Sequence, residues 1–446
     1  MSEIHGKHFD YTIVGGGLIG LSSAFFLRQQ GFSVCIIDKA SSLGGLASCT
    51  ELTNGSYCET FYHHYFLADN SLAKLISKLS CDPVVYKKSS MGYFLSGSFL
   101  PWNGLKDLIF FNGLSLFQKA RFVCATLLIT FSIGPRSFFR ETSLSSGMLR
   151  LYGRTCYSLI WEPLIKGKFG SESEYTPLEW MVGRFRQRFS SRSSSGTELL
   201  GFFPGSAKVL LDSLLKYLQL SPEFSYLVDS EVTHIRKEPS AGKRYCLTTK
   251  TGLTLSCNSI LFTINTNSAK LILESSGFNS SNWHSDAYFK AICILFELKG
   301  SISPFYWNNI ADPSCFFTGY IEQTRLTGTA CYGGLHLGYL SRYLSPSHPL
   351  YDASLDDFLD LAIKDIGILS GTSPNSIIER SYPSIAFDAQ AITRFGYCRN
   401  PMRLSDSDNI YLCNIPMTYP DERGLNNAIQ LGKSISKLMI SSPASI

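Results

Sequence analysis

Gly15, Gly17 and Gly20 stand at G-x-G-x-x-G spacing within Tyr11–Gly20, YTIVGGGLIG. The chemistry of that spacing is anion binding. The first glycine permits a tight turn, the second lets backbone approach a pyrophosphate, and the third lets a helix lie close on a strand. Asp38 follows eighteen residues after Gly20, with Lys39 beside it. A carboxylate there can accept hydrogen bonds from a ribose. These residues predict a dinucleotide site and a redox or redox-like reaction.

Such a site works only if regular elements hold it. The β-branched run before Gly15 reads as a strand. A helix starting near Leu18 would aim its N-terminal N–H groups and its dipole at the phosphates. Leu21, Ala24, Phe25 and Leu27 form its apolar stripe, and Gly31 is a natural stop. Val34–Ile37 is a continuous apolar run, as expected of a buried parallel strand. Strand, glycine turn, helix and strand make half of a nucleotide-binding βαβ unit. The strand begins by about Phe9, which leaves no room for a signal peptide ahead of it in this sequence.

The whole chain sets wider bounds. Its 446 residues suggest two domains, or one with a large insertion. Hydrophobic residues make up 44%, charged residues 17% and aromatic residues 13%, a balance suited to a deep apolar pocket or to membrane contact. The formal net charge of +5 is too small and scattered to argue for nucleic acid. It suits an anionic small-molecule ligand or an acidic membrane surface. Thirteen cysteines, with no C-x-x-C pair, read as small buried hydrophobes; they support neither a disulfide framework nor a metal site. That points to a reducing compartment, hence a cytoplasmic protein. No stretch has bilayer-spanning length. The nearest is Phe122–Ile133, flanked by Lys119, Arg121 and Arg136. The expected role is a core helix of the second domain; interfacial docking, giving a peripheral membrane protein, is the other reading.

Further along, Ser41–Ala47 is a second glycine turn, and Ser190–Ser195 is a serine-rich loop. A helical stripe is expected at Val209, Leu210, Leu214 and Leu218. Strands are expected at 225–235, 245–249, 253–257, 260–264, 291–298, 318–322 and 410–413. Amphipathic helices are expected over 352–366 and after Gly424, with Leu425, Ala428, Ile429, Gly432, Ile435 and Met439 on one face. The layout predicts an α/β fold: a Rossmann-like nucleotide domain assembled from 1–69, 200–270 and 385–446, with an α+β substrate domain from 70–199 and 271–384 inserted in it.

Four segments resemble the FAD-dependent amine oxidase superfamily, which includes protoporphyrinogen oxidase-like and phytoene desaturase-like oxidoreductases and UDP-galactopyranose mutase. The first is the opening turn with Asp38. The second is Ser42-Leu43-Gly44-Gly45-Leu46-Ala47, which resembles the loop that runs along the pyrophosphate and ribityl chain. The third is Glu231-Val232, whose valine backbone would meet adenine. The fourth, Tyr411–Asn414 with Pro420–Ala428, resembles the closing cofactor motif, where Asn414, Gly424 and Asn427 would face the flavin. The resemblance implies noncovalent FAD, an oxidoreductase that takes hydride from an organic substrate, and an external acceptor such as dioxygen or a quinone. Trp161–Gly170, WEPLIKGKFG, is similar to the signature of a bacterial group known only as NAD(P)/FAD-dependent oxidoreductases.

Resemblance to the mutase supplies an alternative, a redox-neutral change of ring size in a nucleotide sugar. His64, in Tyr62–Phe66, falls on the flavin-facing histidine of that family, whereas its second histidine is Leu67 here. Arg184 and Arg188, in RFRQR, resemble its R-x-x-x-R pair; planar guanidinium forks suit a carboxylate or diphosphate. Phe317–Glu322 resembles its Y-T-R-I-I-E segment, but Gly319 replaces the arginine and removes a diphosphate contact. Tyr339, Arg342 and Tyr343 are expected to continue the pocket wall, with Trp161, Tyr306 and Trp307 lining a cleft. The lysine near flavin N5 in true amine oxidases has no motif to place it, Gly205-Ser206 stands where relatives have a glycine pair, and Thr263–Thr266 lacks a common proline.

Overall fold

The computed structural model describes residues 4–192, 198–238, 244–405, 408–421 and 423–441. Residues 193–195 of the serine-rich loop and Glu422 of the closing motif lie outside the described residues.

The opening unit forms where the pattern places it. β1 (His8–Val14) leads through the glycine turn into α1 (Leu18–Arg28), and β2 (Val34–Ile37) pairs parallel with β1. All four residues of β2 are buried. The strand Phe224–Leu227 pairs parallel with β2 on one side; Thr254–Phe262 pairs parallel with β1 on the other. Arg244–Thr249 and Val232–Glu238 extend the sheet antiparallel, and Ile410–Leu412 pairs parallel with the end of Thr254–Phe262. The first sheet thus draws on three separated stretches of chain.

The last helix, Leu425–Ser441, closes the unit by packing on α1. A Cβ at Gly432 would lie 2.2 Å from Ser22 Oγ and 3.0 Å from Ser23 N, so only glycine allows the two helices this close. Ser436 Oγ also donates to the Ser23 carbonyl. Leu425, Ala428, Ile429, Gly432, Ile435 and Met439 are its buried face, as the periodicity predicts.

A second seven-stranded sheet runs in the order Ile378–Ala391, Tyr288–Leu298, His336–Leu344, Gly319–Glu322, Trp307–Ile310, Met91–Leu95, Ser98–Pro101. Tyr288–Leu298 is buried at every residue: Ile292, Ile294, Phe296 and Leu298 pack in one cluster with Phe358 and Ile366, and Cys293 and Leu295 in another with Tyr339. Ile378–Ala391 keeps to this sheet past residue 385. A small sheet of Tyr65–Phe66, Leu199–Phe202 and Val85–Lys88 lies apart from both larger sheets.

Three expectations are corrected. The strand expected over 225–235 is two strands, Phe224–Leu227 and Val232–Glu238. Between them Asp229 takes φ 49°, and its N–H and that of Ser230 donate to the Ala40 and Asp38 carbonyls. Strands expected at 253–257 and 260–264 are one, Thr254–Phe262, because Asn258 and Ser259 are accommodated within it. The helix expected from residue 352 starts at Leu355, where Ser354 and Asp357 form a reciprocal cap.

The apolar run at 122–133 lies in the Leu116–Phe131 helix, opened by a Ser115–Gln118 capping box. Only Ala125, Ile129 and Thr130 are buried. It is therefore not an enclosed core helix, and one whole side faces outward. No helix among the described residues is long and apolar enough to cross a membrane. All thirteen cysteines are free thiols.

Candidate functional site

The two glycine turns lie backbone to backbone. Gly44 N–H donates to the Gly16 carbonyl at 2.9 Å, and a Cβ at Gly45 would lie 3.1 Å from Gly17 Cα. Gly15 has φ +113°, and a Cβ there would lie 2.5 Å from Thr263 Oγ1, which instead donates to the Gly15 carbonyl at 2.8 Å. The turn thus needs glycine for both conformation and space. Gly20 plays a different part: it stands behind the turn, packing α1 against it, and does not line the cavity described below.

Asp38 secures the second strand's end. Its Oδ2 accepts from Gly16 N–H at 2.5 Å and its Oδ1 from Ala40 N–H at 2.8 Å. Because Ser230 N–H also donates to the Asp38 carbonyl, the chain that follows is steered so that Val232 reaches the same wall. Asp38→Ala removes two bonds to a charged acceptor, each worth ~1.5–3 kcal/mol. Nucleotide affinity is expected to fall by roughly tenfold or more, measured by flavin fluorescence titration; unchanged affinity would dismiss the role of Asp38 in holding the turn.

A cavity of about 1830 Å³ starts at this cradle and continues between the two large sheets. Gly15, Gly17, Asp38, Lys39, Gly44, Gly45, Leu46 and Val232 line its first part. Asn414, Gly424 and Asn427 line it from the closing segment. Asn414 Nδ2 donates to the Ile264 carbonyl at 3.1 Å and to Thr266 Oγ1 at 3.0 Å, which fixes the loop that leads to the last helix. The N-terminus of that helix opens at Leu425, on the cavity wall. The cradle fits a dinucleotide: its wall is backbone and glycine where phosphates would need close approach.

The far part of the cavity is aromatic and cationic. His64, Arg184, Arg188, Arg342 and Tyr343 all line it, with Trp161 and Trp307. His64 Nδ1 lies 3.3 Å from Tyr306 Oη, and its ring meets Phe66 edge-on at 5.2 Å. The Arg184 guanidinium sits 5.7 Å from the Trp180 ring centre and that of Arg188 5.8 Å from Trp307. Arg188 also pairs with Glu198 at 3.4 Å. Arg342 donates to the Phe316 carbonyl and lies over the Phe316 ring; burial lowers its pKa. Gly319 lines the cavity, and a Cβ there would press on Ser341 Oγ at 3.2 Å.

Two expectations are corrected. Tyr339 is fully buried and is not among the cavity-lining side chains. Its hydroxyl donates to the Glu59 carbonyl at 2.6 Å and lies 2.8 Å from Cys58 Sγ, behind the wall. Tyr306 is likewise buried and does not line the cavity; its hydroxyl meets His64, and its backbone N–H donates to Ser90 Oγ, both on the wall.

The sequence reading assigned no role to Lys168, Arg423 or His63. Lys168 Nζ lies 4.4 Å from the Trp180 ring centre and 5.0 Å from that of Tyr343, on the cavity wall. Arg423 donates to the Ala389 carbonyl and to Tyr343 Oη. Burial, with the Arg423 charge second, pulls the His63 pKa down to about 4, so this ring is neutral at ordinary pH. Lys168 sits in WEPLIKGKFG and Arg423 in the closing motif; those segments were the available signal. Among the described residues no cluster of His, Cys, Asp or Glu could hold a metal ion.

Comparison with known proteins agrees with this geometry. Residues 13–79 match the family model of an NAD(P)-binding Rossmann-like domain. A curated relative, zeta-carotene desaturase (chloroplastic/chromoplastic) of Solanum lycopersicum, is 26% identical over 135 residues, which cover 28% of this chain and 23% of the relative. The chain therefore aligns with only about a quarter of that relative's length. Reduced UDP-galactopyranose mutase superposes with a TM-score of 0.73 at 13% identity, covering 98% of this chain and 95% of that one. Cyclohexylamine oxidase from Brevibacterium oxydans gives 0.71 at 12% identity, covering 97% and 98%. At these identities the structural likeness is one of fold.

Proposed function

We infer that this chain, which has the fold of the FAD-dependent amine oxidase superfamily, is an oxidoreductase that binds FAD noncovalently and oxidises an organic, anionic small molecule. The observation that carries this reading is the continuity of one cavity from the glycine cradle to the aromatic and cationic compartment around His64, Arg184 and Arg188. FAD, when bound, supplies a two-electron acceptor for hydride at N5. The chain's own groups bind and orient. Backbone N–H groups at the start of α1 would meet the phosphates, and Asp38 holds their turn. The N-terminus at Leu425 favours negative charge on a reduced isoalloxazine ring. Arg184 and Arg188 hold the substrate's anionic group, and Trp161 and Trp307 exclude water from its apolar part. Trp161 Nε1 is buried without a partner among the described residues, a donor left for a ligand acceptor.

The mutase reading retains one supporting observation: His64 shares the cavity with both arginines. A single pair of experiments separates the two. Under anaerobic conditions, a substrate of the oxidoreductase bleaches the oxidised flavin. For the mutase, dithionite-reduced protein converts a nucleotide sugar to a ring-size isomer with no flavin reoxidation. We expect bleaching, and we expect Arg184→Ala/Arg188→Ala to raise KM for the anionic substrate about tenfold or more, with a smaller effect on kcat. A protein that takes up no FAD would overturn the reading altogether.

A further inference from the structure

An apolar stripe runs along the outer side of the Leu116–Phe131 helix. Phe117, Ala120, Cys124, Leu127 and Phe131 recur every three or four residues, and all are exposed. Leu116 (83% exposed) and Phe110 (79%) enlarge the stripe at one end. The Leu105–Phe110 helix that carries Phe110 is tied to it by Lys119, whose ammonium donates to the Ile109 carbonyl. At the other end Phe131 meets Phe189 edge-on at 5.1 Å, and Ile133 is exposed beyond it. Isolated exposed apolar residues need no explanation, but a contiguous patch of this kind marks a contact surface.

Charge and position identify the occupant. Between Pro101 and Thr155 the chain carries seven Lys or Arg against two acids, Asp107 and Glu141. Arg121 and Arg136 are exposed beside the stripe, and Arg186 reaches it by donating to Ser132 Oγ. An apolar band with a basic rim matches an anionic lipid surface. Leu127 and Phe189 are both exposed and also line the cavity, so the cavity opens within this patch. A folded partner seated there would cover the opening, whereas a fluid bilayer surface leaves a route into it.

We propose that this face docks on an anionic membrane surface, with Phe110, Leu116, Phe117, Leu127 and Phe131 entering the acyl boundary and the basic rim meeting headgroups. Contact is interfacial, since no described helix can cross the bilayer. The inference stands independently of the redox reading, because it rests on the outer surface and on where the cavity opens, not on the reaction inside it.

The full chain is to be floated with phosphatidylcholine vesicles with and without phosphatidylglycerol. Binding is expected to the anionic vesicles and to weaken with salt. Leu116→Asp/Phe117→Asp changes only highly exposed side chains, so its melting temperature should match wild type while its partition coefficient falls about tenfold or more. Arg136→Glu should lose roughly fivefold or more on anionic vesicles. Absence of wild-type binding, or equal binding by the aspartate variant, would overturn the proposal. So would a wild-type dimer that the aspartate variant dissociates, which would make a second copy the occupant.

Discussion

Gly20→Ala is expected to abolish flavin retention and give a colourless protein. The added Cβ would lie 2.1 Å from the Gly15 carbonyl oxygen and 3.2 Å from both Gly15 C and Thr263 Oγ1. The obstacle is backbone that cannot yield. Gly15 N–H donates to the Ile37 carbonyl at 2.8 Å, and the Gly15 carbonyl accepts from Thr263 Oγ1 at 2.8 Å. To relieve the contact α1 must move off β1, and its N-terminus then leaves the phosphates. Overpacking of this kind costs ~1–3 kcal/mol, and a rigid obstacle puts Gly20 at the upper end. That is about a hundredfold in affinity. Flavin absorbance of the purified protein and a fluorescence titration would read it. Gly300→Ala is the control, because no atom lies within 4 Å of its Cβ position. Undiminished retention in Gly20→Ala would mean that α1 does not present the cofactor's phosphates.

Glu59→Gln is expected to stabilise the protein above neutral pH. Glu59 is 2% exposed, and burial raises its pKa to about 7. Its Oε1 accepts from Ala207 N–H at 2.9 Å. The sign follows from linkage: the folded state holds this proton more tightly than the unfolded chain, whose ordinary value is 4.5. Stability is therefore full below pH 4.5, falls as pH rises from there to about 7, and is constant above. The loss is on the order of 3 kcal/mol. Glutamine keeps an acceptor for Ala207 and cannot ionise, so urea unfolding should find the variant more stable by that order above pH 7 and equal to wild type below pH 4.5. His63, whose depressed pKa lowers stability as pH falls from 6.5 towards 4, acts alike in both proteins and cancels. Parallel pH profiles for the two proteins would remove the buried-proton account.

The legible parts of the site are those whose partners are near in sequence. β1, the glycine turn, α1 and β2 lie within thirty residues of one another, and period and glycine spacing suffice to order them. The last helix was equally clear, because its buried face repeats at helical period and packs on one neighbour. Strands of the second sheet were harder. Tyr288–Leu298 is buried on both faces, so no alternation records its direction or its partners. Tyr339 and Arg342 share one strand three residues apart, yet one is sealed behind the wall and the other lines the cavity. An odd spacing puts the two side chains on opposite faces of the sheet, and which stretch of each face the cavity reaches is set by what packs on it from elsewhere in the chain. The Leu116–Phe131 helix makes the same point: it is apolar on nearly every side, and such a pattern cannot say which side the rest of the molecule covers.

By itself the sequence determined the strand, glycine turn and helix at the N-terminus, because glycine spacing and a following helix impose that geometry locally. Resemblance implied that Gly44, Val232 and Gly424, nearly four hundred residues from first to last, meet one cofactor, but no local pattern brings them together; the tertiary structure places them on one cavity. It also decided that Lys168 and Arg423 join Arg184 and Arg188 there, and that the cavity opens beside an exposed apolar stripe. Those arrangements depend on strand order and on the close approach of two helices at Gly432. Both are properties of long-range packing, for which local periodicity carries no signal.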